Sequence, residues 1–272
     1  MSRSRSSPDR AEAPPRGAAE RTRLYLPFLL LAIVVTFTDL GGRSVHDMDV
    51  PRGAALAREM IQSGHWLVPR LAGEVYVNKP PLYIWLVALP SVLAGDVTPF
   101  RARLPAALAL LARVLVAMGW ARGRTGSDTV ARITGLLLLS TLVFVWLGRE
   151  AKLDMLAATL GFSGAALLDA AAHGRAPPRH HLWAGLLLGL ALLTKGPLVL
   201  LVPVVVLLVG GEPGSDPWTR LKRARIGRTL GLAVLVGLAW FVPALVQGGS
   251  AYGEALLLDQ AATRLAGAGN HL

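Results

Sequence analysis

The sequence predicts an all-α, polytopic membrane protein with about seven transmembrane helices and additional external interfacial helices. Its 272 residues are 53% hydrophobic with a mean hydropathy of +0.49, and the apolar residues gather in runs long enough to span or nearly span a bilayer. The runs do not alternate with polar residues, which argues against a β-barrel. The net charge of +11 lies largely at the N-terminus and between runs, as helix orientation requires, and not in a nucleic-acid-binding face.

The first 23 residues are rich in Arg, Ser, Pro and Glu and are expected to form a disordered basic cytoplasmic tail. The apolar run Leu24–Phe37 follows. A signal peptide is the rival interpretation, but the basic region is long and no clear small-residue cleavage site precedes Asp39. We therefore expect a retained anchor and place the transmembrane domain at residues 24–272.

An external loop with amphipathic helices is predicted from residue 39 to residue 103, and it begins with the polar stretch Asp39–Lys79. Its segment PRGAALAREMIQSG indicates an amphipathic helix: Pro51 suits the first turn, Leu56 and Met60 share one face, and Gly64 can end it. This helix is expected to lie along the membrane interface. The later apolar runs are Leu104–Trp120, Ile133–Trp146, Met155–Ala172, Leu182–Leu193, Leu198–Val209 and Leu230–Val246.

The run Pro80–Leu93 decides the topology. If it spans the membrane, the basic segments RAPPRHH and WTRLKRARIGR fall outside, against the positive-inside rule. If it is a partly embedded external helix interrupted by Pro90, both segments and ARGR fall in the cytoplasm with the N-terminus. We favour the second arrangement, which places Lys79 on the outer face together with many acids and bases at helix ends.

Several segments together resemble one family. DVPRGAALAREMIQSGHWLVPRLAGEVYVNKPPLYIWL is similar to the first external loop of the ArnT-like glycosyltransferases, the protein-mannosyltransferase-like group of glycosyltransferase family 39 in the GT-C class. The likeness continues at ARLPAAL, REAKLDMLAA, LTKGPL and DQAATRLAGAGNH, in the family's order. No single motif is specific, but the ordered set covers nearly everything after residue 24.

The resemblance implies an inverting transferase in the cytoplasmic (inner) membrane. It would move a sugar from a polyprenyl-phosphate donor to a lipid or protein acceptor, such as lipid A, at an external, periplasmic active site. Asp49 matches the family's catalytic aspartate, although an aspartate there also suits a helix cap. Lys79 is the first candidate to bind the donor phosphate, with Arg52 and Arg103 as further candidates, because cations stabilise charge that develops on the departing phosphate.

Other candidates come from later loops, and each has a plain structural alternative. Glu150 and Asp154 occupy the family's second acidic loop, where Arg149 could pair with either. Lys195 precedes a helix break that a simple hairpin turn would also explain. Arg113, deep in an apolar run, is expected to face the bundle with a carbonyl or water partner and receives no catalytic role. The remaining candidates are Tyr76 and His271.

Two departures from the family's pattern bear on metal binding. Val50 and Asn78 stand where relatives often have Glu, and the second Glu can help a later His, matched here by His271, to hold a metal ion. Asparagine is an uncharged and poorer oxygen ligand, so we predict no metal site. No other cofactor is expected, and the absence of cysteine excludes disulfides, thiolate catalysis and zinc–thiolate sites.

Relatives in this family continue with further helices, so the sequence is expected to represent the N-terminal portion of a longer enzyme. A non-catalytic GT-C scaffold or partner subunit is the main alternative. A small-molecule transporter is the third, but transporters often show internal repeats, and none is visible. The predicted partners are the lipid-linked sugar donor, the acceptor and membrane lipids, without nucleic acid; the sugar and the acceptor stay open.

Overall fold

The computed structural model describes residues 18–42, 49–177, 179–211 and 216–254. These residues form helices joined by short connections, with one minimal hairpin of β1 (Arg70–Leu71) and β2 (Glu74–Val75). The helices are α1 (Ala18–Phe37), α2 (Asp49–Ser63), α3 (Leu82–Ala94), α4 (Pro99–Thr125), α5 (Asp128–Ser140), α6 (Leu142–Arg149), α7 (Leu153–Ala172), α8 (His180–Lys195), α9 (Leu201–Val209), α10 (Pro217–Arg223) and α11 (Ile226–Glu254), with a 3-10 turn at Pro197–Leu200.

The all-α membrane fold is confirmed, and each predicted apolar run corresponds to one helix or to a broken helix pair. Among the described residues, three helices are long and apolar enough to cross a membrane: α4, α7 and the part of α11 up to Gly249. The pair α5 and α6 is bent by 64° and adds a fourth if it counts as one span. Further apolar helices are shorter than this criterion requires. Length and composition alone therefore identify three or four spanning segments among the described residues, fewer than the predicted number of about seven.

Helix α3 corrects one detail of the prediction. Pro90 lies inside a continuous helix of 13 residues and does not interrupt it. Proline cannot donate a backbone hydrogen bond, but this leaves only the carbonyl of Leu86 without its helical partner, and the neighbouring turns persist. At about 1.5 Å per residue the helix is about 20 Å long, short of a hydrocarbon core of about 30 Å. Its length therefore fits a partly embedded element.

Helix α2 forms as the periodicity predicted. Leu56, Ala57 and Met60 are buried on one face, and the helix ends at Ser63 before Gly64, whose φ of 72° suits glycine. The buried face packs on α3 and on the start of α4, while Arg58 donates to the Val97 carbonyl at 3.0 Å. The segment between α1 and α4 is thus held against the bundle by an apolar helix face.

Helices α7, α8 and α11 pack closely at glycines. A β-carbon at Gly164 would come within 2.8 Å of Leu188, and one at Gly189 within 2.6 Å of Val236. Small residues at such crossings allow backbones to approach, which is the main source of packing energy between helices in lipid. Within α4, the guanidinium of Arg113 donates to the Ala158 carbonyl at 2.9 Å and lies 3.9 Å from the Phe162 ring centre, so its predicted carbonyl partner is confirmed.

A buried carboxylate joins α4 to the α7–α8 loop. Asp169 is 3% exposed and accepts hydrogen bonds from Trp120 at 2.9 Å and from Arg124 at 3.2 Å. Arg175 lies 3.7 Å from the same carboxylate, and the second Nη of Arg124 donates to the Gly210 carbonyl at 3.1 Å. Asp169 therefore ties the ends of several helices together.

Asp169→Asn is expected to lower the free energy of unfolding by about 3 kcal/mol. Removing one partner of a buried ion pair typically costs about 3–5 kcal/mol, and the lower end applies because Arg124 and Arg175 are 26% and 34% exposed. The measurement is chemical unfolding of the purified chain in detergent. Asp96→Asn is the control, since its exposed pair with Arg58 should contribute less than about 1 kcal/mol. Equal losses in both variants would contradict the assigned role.

Candidate functional site

The loop that carries Lys79 is fixed by two tryptophans from separate helices. Trp85 of α3 donates its indole N–H to the Trp66 carbonyl at 2.8 Å, and Trp240 of α11 donates to the Leu67 carbonyl at 2.9 Å. Val68 is buried in the apolar cluster that includes Trp240. The first part of the loop is therefore anchored on the bundle before the chain reaches Lys79.

The middle of the loop folds into the β1–β2 hairpin, which the sequence analysis did not predict. Ala72 and Gly73 occupy its turn with φ of 54° and 82°, the combination that two-residue hairpin turns favour. The carboxylate of Glu59 in α2 accepts both turn N–H groups, from Ala72 at 2.7 Å and from Gly73 at 2.9 Å. In the sequence, the only indication of this contact is a single glutamate on the polar face of α2.

Lys79 lies directly after the hairpin, in the bend that leads to α3. Tyr76 donates its backbone N–H to the Pro69 carbonyl at 2.9 Å, which closes the hairpin base. The side chains of Tyr76 and Lys79 are half-buried, and Pro80 and Pro81 are buried beneath them. The two prolines restrict the backbone at this point, so the lysine is held on a rigid connection.

Two arginines, Arg103 and Arg149, donate hydrogen bonds to backbone carbonyls at the end of α1. Arg103 is 1% exposed and donates to the Leu40 carbonyl at 2.8 Å. Arg149 donates to the Thr38 carbonyl at 2.6 Å. Cations near a helix C-terminus satisfy its last carbonyls. Arg103 was predicted to bind the donor phosphate, and that role stays a prediction; the hydrogen bond to Leu40 shows that it also holds the chain that follows α1.

The start of α2 lies close to the second acidic loop. A β-carbon at Gly53 would be 3.9 Å from the carbonyl of Ala151, the residue between Glu150 and Lys152. Asp49 begins α2, but its side chain lies outside the described part of the chain, and Arg52 is half-buried in the first turn. The backbone thus brings the two predicted acidic segments to one region.

Asp154 and Lys195 form an ion pair between the first turn of α7 and the last turn of α8. Both side chains keep substantial exposure, 38% and 48%. Helix α8 ends at Gly196, whose φ of 93° favours glycine, and Pro197 opens the following 3-10 turn. The predicted helix break is confirmed, and two residues predicted separately prove to be partners.

A single apolar cluster connects the segments that carry the two lysines. Val77 and Leu82 flank Lys79, and both pack on the cluster that contains Leu193, two residues before Lys195. The buried hydroxyl of Tyr83 donates to the Ala102 carbonyl at 3.0 Å and interacts electrostatically with Asp154, Glu150 and Arg103. The candidate residues in the described ranges therefore gather at one end of the bundle, where cations and carboxylates alternate.

The predicted lack of a metal site stays a prediction. Among the described residues no group of three or more His, Asp or Glu side chains is arranged to hold a metal ion. His271 lies outside the described residues, so its proposed role is not addressed. Asn78 is exposed next to Lys79 and offers only a neutral oxygen.

Residues 78–246 match the family model described as dolichyl-phosphate-mannose-protein mannosyltransferase. A curated relative is the undecaprenyl phosphate-alpha-4-amino-4-deoxy-L-arabinose arabinosyl transferase 1 of Sodalis glossinidius (strain morsitans). It is 33% identical over 230 residues, which cover 80% of this chain and 39% of the relative. The corresponding transferase of Shewanella sediminis (strain HAW-EB3) is 33% identical over 182 residues, covering 66% and 33%.

Two solved structures of an ArnT protein are similar to this chain in fold. The crystal structure of ArnT from Cupriavidus metallidurans bound to undecaprenyl phosphate superposes with a TM-score of 0.76 and 25% identity, covering 89% of this chain and 45% of that one. The apo structure gives a TM-score of 0.72 and 26% identity, covering 87% and 44%. The chain spans 39% of the Sodalis relative's length and less than half of the solved chains.

Proposed function

Because the chain belongs to the dolichyl-phosphate-mannose-protein mannosyltransferase family, we propose that it acts as a membrane glycosyltransferase that takes a sugar from a polyprenyl-phosphate donor. The matched relatives are named as transferases of an undecaprenyl-phosphate-linked sugar, and one solved neighbour holds undecaprenyl phosphate. The observation that carries the proposal is the rigid loop ending in Lys79, which presents a cation where α3 begins. The acceptor is a lipid or a protein.

Lys79 is proposed to contact the donor phosphate. A lipid phosphodiester becomes a phosphate monoester as the sugar leaves, so negative charge grows on the phosphate oxygens during the reaction. A preplaced ammonium stabilises that charge without rearrangement. The tryptophan anchors at Trp66 and Leu67 keep the loop in position, and Arg52 in the first turn of α2 supplies a second cation at the same end of the bundle.

Asp49 is proposed to take the proton from the acceptor hydroxyl as that oxygen attacks the anomeric carbon. An inverting transfer needs one such base and no covalent sugar–enzyme intermediate. Asp49 is the first residue of α2, whose apolar face fixes the helix on the bundle. The pair Asp154–Lys195 borders the same region and is proposed to orient the polar groups of donor and acceptor.

The test is transfer of radiolabelled sugar from a synthetic polyprenyl-phosphate donor by membranes that contain this chain, with donor binding measured separately. Product in the lipid fraction or in the protein fraction identifies the acceptor class. Transfer, or donor binding that competes with undecaprenyl phosphate, supports the proposal. If the chain neither transfers nor binds the donor, the non-catalytic scaffold is the better description.

The active site is proposed to face the periplasm, with the N-terminus in the cytoplasm. The basic residues of the α4–α5 turn, the α7–α8 loop and α10 all lie at the end of the bundle opposite Lys79 and Lys195, as the positive-inside rule favours. The short helix α3 supports the same arrangement, because it need not cross the bilayer.

Cysteine labelling tests this orientation directly, since the native chain has no cysteine. Cysteine in place of the exposed Glu74 is expected to react with an impermeant thiol reagent in spheroplasts, whereas cysteine in place of the exposed Pro177 is expected to react only after lysis. The reverse pattern would show that the site faces the cytoplasm.

A further inference from the structure

The end of the bundle opposite Lys195 carries a second concentration of charge that the proposed transferase reaction does not use. We call it the basic patch. Its residues come from the α7–α8 loop and the first turn of α8, from α10, and from the turn into α11 and the first turn of that helix. They are the exposed Arg179, Lys222, Arg223, Arg225 and Arg228, with the half-buried His181 among them.

Two unusual backbone conformations bring the patch together. Arg179 and Arg225 have φ of 62° and 52°, a region that residues other than glycine rarely occupy. The backbone N–H of Arg225 closes its turn on the Lys222 carbonyl at 3.0 Å. The guanidinium of Arg225 then lies 3.5 Å from Nδ1 of His181 in the first turn of α8, so two segments that are distant in sequence meet at the patch.

The patch differs from the other basic residues at this end of the bundle in its ion pairs. At the same end of the bundle, Arg122 pairs with Asp128, and Arg124 and Arg175 pair with Asp169. None of the ion pairs formed within the described ranges includes a member of the patch. Like charges held together without a counter-charge repel one another. Within the described residues, the contrast with the neighbouring paired arginines leaves the patch able to accept an anionic ligand.

Asp216 lies beside the patch, but its hydrogen bonds are used within α10. Its carboxylate accepts from the backbone N–H of Trp218 at 3.2 Å and of Thr219 at 2.9 Å, and from the Thr219 hydroxyl at 2.7 Å. The hydrogen bonds from the Thr219 side chain and backbone hold the pKa of Asp216 below its usual range, with a smaller contribution from Lys222. Asp216 therefore works mainly as a helix cap and leaves most of the patch unbalanced.

The position of α10 suits a membrane surface. Trp218 is 68% exposed in the first turn of α10, whereas Leu221 on the same helix packs inward. Tryptophan is enriched at headgroup depth, where its ring contacts apolar chains and its N–H contacts water. The apolar span of α11 begins directly after Arg225, so the patch and Trp218 lie where that span meets the bilayer surface.

We propose that the basic patch binds the anionic headgroups of phospholipids in the cytoplasmic leaflet. Clusters of Lys and Arg immediately beside a spanning helix attract acidic lipids, and the attraction adds up over the residues near the surface. The ligand is a lipid phosphate on a diacylglycerol anchor. Several guanidiniums bind the phosphate, and Trp218 sets the depth of the patch at the headgroup region. This site is separate from the region around Lys79 and does not depend on transferase activity.

The test measures thermal unfolding of the purified chain in detergent while lipid is added. Dioleoylphosphatidylglycerol is expected to raise the unfolding midpoint at a concentration on the order of tenfold lower than dioleoylphosphatidylcholine. The pair Arg225→Gln and Arg228→Gln should abolish this preference, and the charge-preserving pair Arg225→Lys and Arg228→Lys should retain it. Arg70→Gln with Arg101→Gln removes the same charge at the other end of the bundle and should leave the preference unchanged.

Lys222→Gln with Arg223→Gln provides a second charge-removing pair on exposed positions of α10, in case the first pair does not accumulate. The preference should also fall in high salt, because exposed charges are screened. An unchanged preference in both glutamine pairs, or no preference in the native chain, would overturn the proposal. So would an equal effect of inorganic phosphate at the same concentration, because the patch would then bind the free anion.

Discussion

Replacing Lys79 by alanine is expected to slow sugar transfer by on the order of a hundred- to a thousandfold. The loss corresponds to about 2.7–4 kcal/mol, the usual cost of removing one group that stabilises charge developing in the transition state. The chain should still insert and accumulate, since the Trp85 and Trp240 indoles anchor the loop at the Trp66 and Leu67 carbonyls. Transfer of labelled sugar and the amount of chain in the membrane are measured in the same preparations.

Two companion variants separate charge from structure. Lys79→Arg keeps the positive charge but changes its geometry, so it should retain part of the activity. Arg70→Ala removes another cation of the same loop, one that donates to the Gly73 carbonyl at 3.3 Å, and should leave transfer near the native rate. Native-like transfer by Lys79→Ala would show that this lysine does not act on the donor phosphate.

Asp49→Asn is expected to lower transfer by on the order of a hundred- to ten-thousandfold, the range that general base catalysis contributes. The amide is nearly isosteric with the carboxylate, but it cannot accept the acceptor's proton. Donor binding should therefore survive, in contrast to Lys79→Ala, which should also weaken it. The measurements are single-turnover transfer and displacement of a labelled donor.

Asp47→Asn is the matched control because it makes the same chemical change two residues earlier. It should leave transfer largely intact, since the family resemblance assigns the base to the second aspartate of the DMD segment. Equal losses in both variants would favour a shared function of the two carboxylates, such as a metal site. An active Asp49→Asn would remove the base assignment.

The fold was predictable because lipid imposes a simple rule. Backbone groups in a bilayer must be satisfied within a helix, so apolar runs such as Met155–Ala172 give reliable helices. The prediction failed at Pro90, where local propensity favoured a break that the helix tolerates. It also missed the 64° bend between α5 and α6, since no proline or glycine lies at Ser140 or Thr141 to announce it.

The candidate site was predictable only where a motif carried it. Lys79 and Lys195 were found through their KPP and KGP contexts, but the Lys195–Asp154 pair joins residues 41 positions apart that no short pattern connects. The hydrogen bonds that Arg103 donates to the Leu40 carbonyl and that Glu59 accepts from the hairpin also join residues that no short sequence pattern connects. Asp169 was also detectable, because an acid within the apolar run Met155–Ala172 indicates a buried charge with a partner. That position was not among the predicted residues.

The carboxylate of Asp169 also has a consequence for the order of assembly during synthesis. Arg124 precedes Asp169 by 45 residues, which at about 5–20 residues per second is an interval of roughly 2–9 s. The first cation is therefore already in the membrane when the acid leaves the ribosome, and Arg175 follows within about a second. The chain order therefore makes one pairing cation available before Asp169 is synthesised and another soon after it, which limits the time that the carboxylate lacks a partner.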